Sequence, residues 1–232
     1  MKYLISLWNW LFSVSINERK KKSPTEKLQM SMRVTAKCRY NAATRLQRRG
    51  RFEFFTTTSL SLGLIFIPLM QNSGIPLAFE ANVLNMMQIF LAVAVLVYSV
   101  VIGTARYELR AEKLTECGDK LKDLIRTIEK EKNGADLGAD RLSAFNERYS
   151  DIVTDSENHI RSDYKLAMHE MVNDYYMTGL PKFWNLLSAY SNRSFSYIIP
   201  MIMIAFELVF IADMIAVTEI LTPYLNGYYV SG

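Results

Sequence analysis

At 232 residues the chain is long enough for one domain or two small ones, and its composition, half hydrophobic yet 22% charged, excludes a plain soluble globule. The net charge of +4 is uneven: residues 18–51 hold twelve Lys or Arg against two acids, so this block is +10 and the remainder is −6. Ten glycines and six prolines leave room for long helices, and Cys38 and Cys117, far apart and outside any CxxC pattern, read as reduced cytosolic thiols.

The opening residues, MKYLISLWNWLFSVSIN, set Lys2, Ser6, Asn9, Ser13 and Asn17 on one narrow helical stripe of an otherwise large, apolar surface. The basic run Arg19-Lys20-Lys21-Lys22 follows at once. Residues 1–22 therefore read as an amphipathic helix in the headgroup layer with a polybasic tail. A cleaved signal peptide fits less well, because the charge follows the apolar stretch and no small-x-small site is present. A helix packed inside an oligomer is the remaining alternative.

Ser23-Pro24-Thr25-Glu26 is a capping box with proline at the first helical position, and predicts a helix running to Gly50. Residues 54–70 and 83–105 are uncharged. The second run easily meets the length a bilayer core requires; the first is marginal and diluted by Thr56, Thr57, Thr58, Ser59 and Ser61. Residues 71–82 carry no Lys or Arg, so Arg39, Arg45, Arg48, Arg49 and Arg51 before the first span, and Arg106, Arg110 and Lys113 after the second, orient a transmembrane hairpin with both ends cytoplasmic. Nucleic-acid binding by the basic helix is the weaker explanation of the same charges.

Tyr107, Leu114, Leu121 and Ile128 repeat every seven residues, which predicts a coiled-coil-like stalk continuing straight from the second span and pairing within or between chains, a candidate oligomer seam. Asn133, Gly134 and Gly138 break it. A second long helix is expected from Asp140 until Gly179 and Pro181 end it, giving a cytoplasmic helical hairpin over 106–180. His159 and Asp163, four apart on that helix, form a polar patch rather than a metal site.

Residues 181–232 are a hydrophobic C-terminal segment. Within it 197–221 has the length of a third span but contains Glu207, Asp213 and Glu219, and a carboxylate at the bilayer centre costs about 2.5–3.5 kcal/mol. Glu207 and Asp213 are thus candidate pore-lining or buried acids; in a non-conducting scaffold they would pair with cations such as Arg45 or Arg48. No nucleotide loop, zinc spacing or nucleophile elbow is present, so no active site, cofactor or metal is expected.

The segment Arg39-Tyr40-Asn41-Ala42-Ala43-Thr44-Arg45-Leu46, just ahead of the apolar hairpin, resembles the entry segment of SLATT domains, two-span membrane effectors of prokaryotic conflict systems. Glu157-Asn158-His159 with Asp163-Tyr164 is similar to the cytoplasmic helix of the SLATT subfamily associated with reverse transcriptases in phage defence. The resemblance covers residues 26–173 and leaves the first residues and those after Pro181 unexplained. It implies an all-α effector of the bacterial inner membrane that forms an oligomeric pore, or disrupts the bilayer, and kills or arrests an infected cell. The partners it implies are membrane lipids, further copies of the chain, and a defence-associated reverse transcriptase, its nucleic-acid product or a nucleotide signal. The alternative is a non-conducting scaffold that recruits a soluble partner.

Overall fold

The computed structural model describes residues 2–12, 23–132, 136–172, 174, 175 and 177–226. Ser13, Asn17, the basic run 19–22 and the expected break at Asn133 and Gly134 lie outside the described residues. Every regular element among the described residues is helical. They are α1 (Lys2–Leu11), α2 (Pro24–Asn72), α3 (Ala81–Ala105), α4 (Tyr107–Lys132), α5 (Ala139–Thr154), α6 (Arg161–Glu170), α7 (Gly179–Ser194), α8 (Ile198–Met214) and α9 (Thr222–Leu225). A three-residue 3-10 turn, Phe195–Tyr197, joins α7 to α8. Three helical stretches, Pro24–Asn72, Ala81–Lys132 and Gly179–Met214, are long and apolar enough to cross a membrane. The protein is thus an all-α membrane protein.

The capping box at the start of α2 is reciprocal: the Ser23 amide donates to Glu26 Oε2 at 3.1 Å, and the Glu26 amide donates to Ser23 Oγ at 3.2 Å. The helix does not stop at Gly50 as expected but continues for 49 residues in all. The hydroxyls that diluted the first apolar run do not oppose it. Thr56, Thr57 and Ser61 donate to the carbonyls of Phe52, Glu53 and Thr57 one turn back, at 2.8–3.0 Å. Such bonds satisfy the hydroxyls within the helix and let it enter lipid.

Three further expectations need correction. The helix of the second span does not run on unbroken into the stalk: it ends at Ala105, and Arg106 takes the left-handed conformation (φ 45°) before α4 begins. The long helix expected from Asp140 is broken between Thr154 and Arg161. Its break has a physical cause: the buried Arg39 guanidinium binds the Val153 and Glu157 carbonyls, which a continuous helix would use internally, and Asp163 accepts the Ile160 amide (3.2 Å) to start α6. Gly179 and Pro181 open α7 rather than ending a helix, and a proline without an N–H suits a first helical turn.

The chain divides into two compact units. The first comprises Met1–Gln47 and Glu108–Phe195. In it the N-terminal part of α2, α4 and α5 share an apolar seam: Leu28 and Met32 pack with Leu124, Ile125, Ile128 and Phe145, and farther along Ala36 packs with Cys117 and Leu121. The pairing runs antiparallel. Gly118 admits the Tyr40 ring, to which an added Cβ would come within 2.7 Å. Leu114, Leu121 and Ile128 of the heptad are fully buried here, each contributing about 1.5–3 kcal/mol. Of the two pairings left open for the heptad, the one within the chain is the one seen, with α2 and α5 as its partners.

The second unit comprises Arg48–Tyr107 and Ser196–Gly232. Leu60 and Ile67 of α2, Leu84, Met87 and Leu91 of α3, and Phe210 and Met214 of α8 form one core, with the Phe79 ring stacked on Phe210 at 4.7 Å. The outward residues are also apolar, among them Leu62, Ile65, Ile89, Leu96, Ile199 and Ile202. A unit apolar both inside and outside is built for lipid. The helical part of the third apolar run ends at Met214, not at 221, because Ala216 turns left-handed (φ 59°).

Candidate functional site

In the first unit, two short motifs far apart in sequence meet in one buried polar cluster. Arg39 is fully buried, and its guanidinium donates to the carbonyls of Val153 and Glu157 and to Asn158 Oδ1. One turn and a half later Arg45 donates to both carboxylate oxygens of Asp163, at 3.1 and 3.2 Å for the closer pair. Asp163 is itself fully buried and also receives Arg193 at 2.8 Å. Asn41 donates to the Asp163 carbonyl at 3.3 Å, and Arg193 donates to the Asn41 carbonyl at 3.0 Å. The cluster thus ties α2 to α6, to α7 and to the α5–α6 loop. A buried carboxylate with two guanidiniums is the arrangement that satisfies its charge.

His159 lies in the loop, so it does not share a helical face with Asp163 at four-residue spacing; its ring stacks near Tyr164 with centroids 6.4 Å apart. Burial, and then the Arg39 guanidinium, hold its pKa below the ordinary imidazole value, with Asp163 opposing. Burial pushes the Cys38 thiol up to about 12, which suits an inert packing role. Among the described residues, no group of three or more His, Cys, Asp or Glu is placed to hold a metal ion.

The five basic residues chosen for membrane orientation divide by partner. Arg39 and Arg45 serve the buried cluster. Arg49 donates to Glu53 at 2.8 Å, while Arg48 and Arg51 are exposed. Glu53, which the sequence reading overlooked, is buried in the second unit and accepts the Tyr107 hydroxyl at 3.0 Å, with the Arg49 guanidinium 5.5 Å over the Tyr107 ring. Tyr107 therefore belongs to this group and not to a heptad seam; Gly50 makes room for it, its missing Cβ lying 3.1 Å from the Tyr107 Cβ. The Arg49/Glu53 spacing of four was the available signal.

The two acids of α8 have different surroundings. Asp213 is a turn anchor. One oxygen accepts the Thr218 hydroxyl and the Ile220 amide, and the other accepts the Leu221 and Thr222 amides. Both oxygens are committed to its own following loop, so of the two expectations, pore-lining or buried, Asp213 is found as a buried acid. Glu207 is buried to 1% exposure, accepts the Ser59 hydroxyl at 3.3 Å through Oε2, and has no hydrogen-bond partner at Oε1. It lies against Gly63, where any Cβ would overlap its carboxylate. Neither acid takes the cationic partner considered for a scaffold: Arg45 is bound to Asp163, and the acids' partners are hydroxyls and amides of the second unit.

No curated protein and no solved structure matches the chain. One family model does, over residues 21–216 of the 232, a region that extends beyond residues 26–173 and takes in α7 and α8. By that match the chain belongs to the SMODS and SLOG-associating 2TM effector domain family 5.

Proposed function

We propose that the chain is a membrane effector of prokaryotic anti-phage defence that, once triggered, assembles into an oligomeric pore or otherwise permeabilises the inner membrane and so aborts infection. In this reading the N-terminus and the first unit are cytoplasmic, and the role is non-enzymatic. The trigger would be a defence-associated reverse transcriptase, its nucleic-acid product or a nucleotide signal received by the first unit. The observation that carries the reading is Glu207: a carboxylate with one unpartnered oxygen inside an apolar three-helix unit is costly, and such residues mark ion paths. When copies rearrange, its charge would face water and favour cations.

Planar bilayers containing the full chain test this. Wild-type protein should conduct with cation preference, and Glu207→Gln, which keeps shape and removes charge, should lower that preference by about tenfold or less while leaving expression intact. Unchanged preference in the variant would remove Glu207 from the path. In cells carrying the neighbouring genes, dye influx and membrane depolarisation should follow phage challenge; a stable membrane potential would instead favour a non-conducting scaffold. That second reading has its own support in a groove of about 440 Å³ on the first unit, lined by Arg33, Lys37, Tyr40, Lys122 and Arg126, which offers a soluble partner a charged edge and an aromatic floor.

A further inference from the structure

We infer that α1 and α7 together form a platform that lies in the lipid headgroup layer, so that the first unit is seated on the membrane surface by its own side chains. The observation is the exposed face of α7. Leu180, Phe183, Trp184, Leu187 and Tyr190 are all exposed, the tryptophan to 70%. At about 100° per residue they fall within a third of the helix circumference. The opposite side faces the protein: Ala189 is fully buried, and Ser188 accepts the Lys165 ammonium at 2.6 Å.

The end of α1 is docked on the start of this helix. The Thr178 hydroxyl donates to the Trp10 carbonyl at 2.7 Å, and Gly179, in the left-handed region at φ 58°, lies so close to the Leu11 backbone that no Cβ fits. α1 is exposed along most of its surface, Trp8 to 61% and Trp10 to 54%. The end of α1 thus meets the start of α7, both helices expose aromatic and aliphatic side chains, and all three tryptophans of the chain are among these.

The occupant that fits this surface is a bilayer interface. Tryptophan and tyrosine concentrate at the headgroup level, where an apolar ring and a polar N–H or O–H are both accommodated. Three residues, Phe195–Tyr197, connect α7 to the apolar α8, and three residues span at most about 11 Å, so the end of α7 cannot be far from the bilayer that α8 enters. The basic run 19–22 follows α1 in sequence and suits anionic lipid. This platform rests on membrane residence alone and does not require the chain to conduct.

Because every tryptophan lies on the platform, the chain's own fluorescence reports on it. The full wild-type chain is reconstituted in vesicles of phosphatidylethanolamine and phosphatidylglycerol, with lipids brominated either near the headgroup end or near the far end of the acyl chain. The shallow bromines should cut tryptophan emission by about half and more than the deep ones, with little quenching by aqueous acrylamide. The same ranking is expected from Trp184→Phe, which leaves the α1 reporters, and from Trp8→Phe with Trp10→Phe, which leaves α7. Strong acrylamide quenching without bromolipid quenching would place the surface in water. Protection from both quenchers would mean that protein, such as a second copy, covers it. Stronger quenching by deep bromines would mean insertion across the bilayer, and quenching of the α1 reporters alone would detach α7 from the platform. Each of these four results overturns the proposal.

Discussion

Asp163 joins several parts of the first unit, because its carboxylate meets Arg45, Arg193 and the Ile160 amide while fully buried. Removing one partner of a buried ionic group leaves the other charges uncompensated and costs about 3–5 kcal/mol. Asp163→Ala should therefore lower the thermal midpoint of the detergent-solubilised chain by many degrees, and an unchanged midpoint would show that the guanidiniums relax into solvent. Two histidines set a pH dependence in the same unit. Burial and Arg39 hold His159 below its ordinary pKa of 6.5, and burial and Lys182 do the same for His169. Both imidazoles are thus harder to protonate folded than unfolded, so stability is full above the ordinary value and declines as pH falls through it, levelling below the folded pKa. Melting curves between about pH 7.5 and about pH 5.5 should show the decline, and His159→Gln should flatten part of it. A midpoint insensitive to pH over that interval in the wild type would refute the coupling.

Among the elements, α4 shows best what the amino-acid pattern did and did not reveal. Its heptad positions Leu114, Leu121 and Ile128 are buried, but a heptad does not say whose helix covers it. Here α2 and α5 fill it, bringing Leu28, Met32 and Phe145 to Leu124 and Ile128. Leu114→Asp with Leu121→Asp should consequently unfold the first unit, seen as lost helicity and rapid proteolysis, instead of releasing well-folded monomers. A folded monomer from that variant would restore the seam to an interface between chains. Local signals were legible: the capping box at Ser23, and the two uncharged runs that became the membrane parts of α2 and α3. Breaks imposed from a distance were not. The interruption after Thr154 depends on Arg39, more than a hundred residues earlier, and the stop of α8 depends on Asp213 gathering amides from the loop beyond it. The two motifs that carry the family resemblance, around Arg39–Arg45 and Glu157–Asp163, lie more than a hundred residues apart in sequence, and only the fold brings them together as two halves of one cluster.

On the scale of the whole molecule, the core of the second unit is closely packed among its described residues. Leu60, Ile67, Leu91 and Met214 are fully buried in its core, and Glu207 sits among helices packed that closely. If the chain conducts as proposed, a path between copies would use the apolar outer faces of α2, α3 and α8, which supply contact surface that also tolerates lipid. Closed rings are the assemblies that repeat one such contact without leaving an end. If conduction needs a ring, the initial rate of ion release from vesicles should rise with a power of the protein-to-lipid ratio greater than one, about three or more for the smallest ring that could enclose water. Glu207→Gln should keep that power while changing which ions pass, because the substitution leaves the outer faces alone. Release that grows only linearly, together with single copies counted by photobleaching in the same vesicles, would exclude the ring and leave disruption of the bilayer by individual molecules.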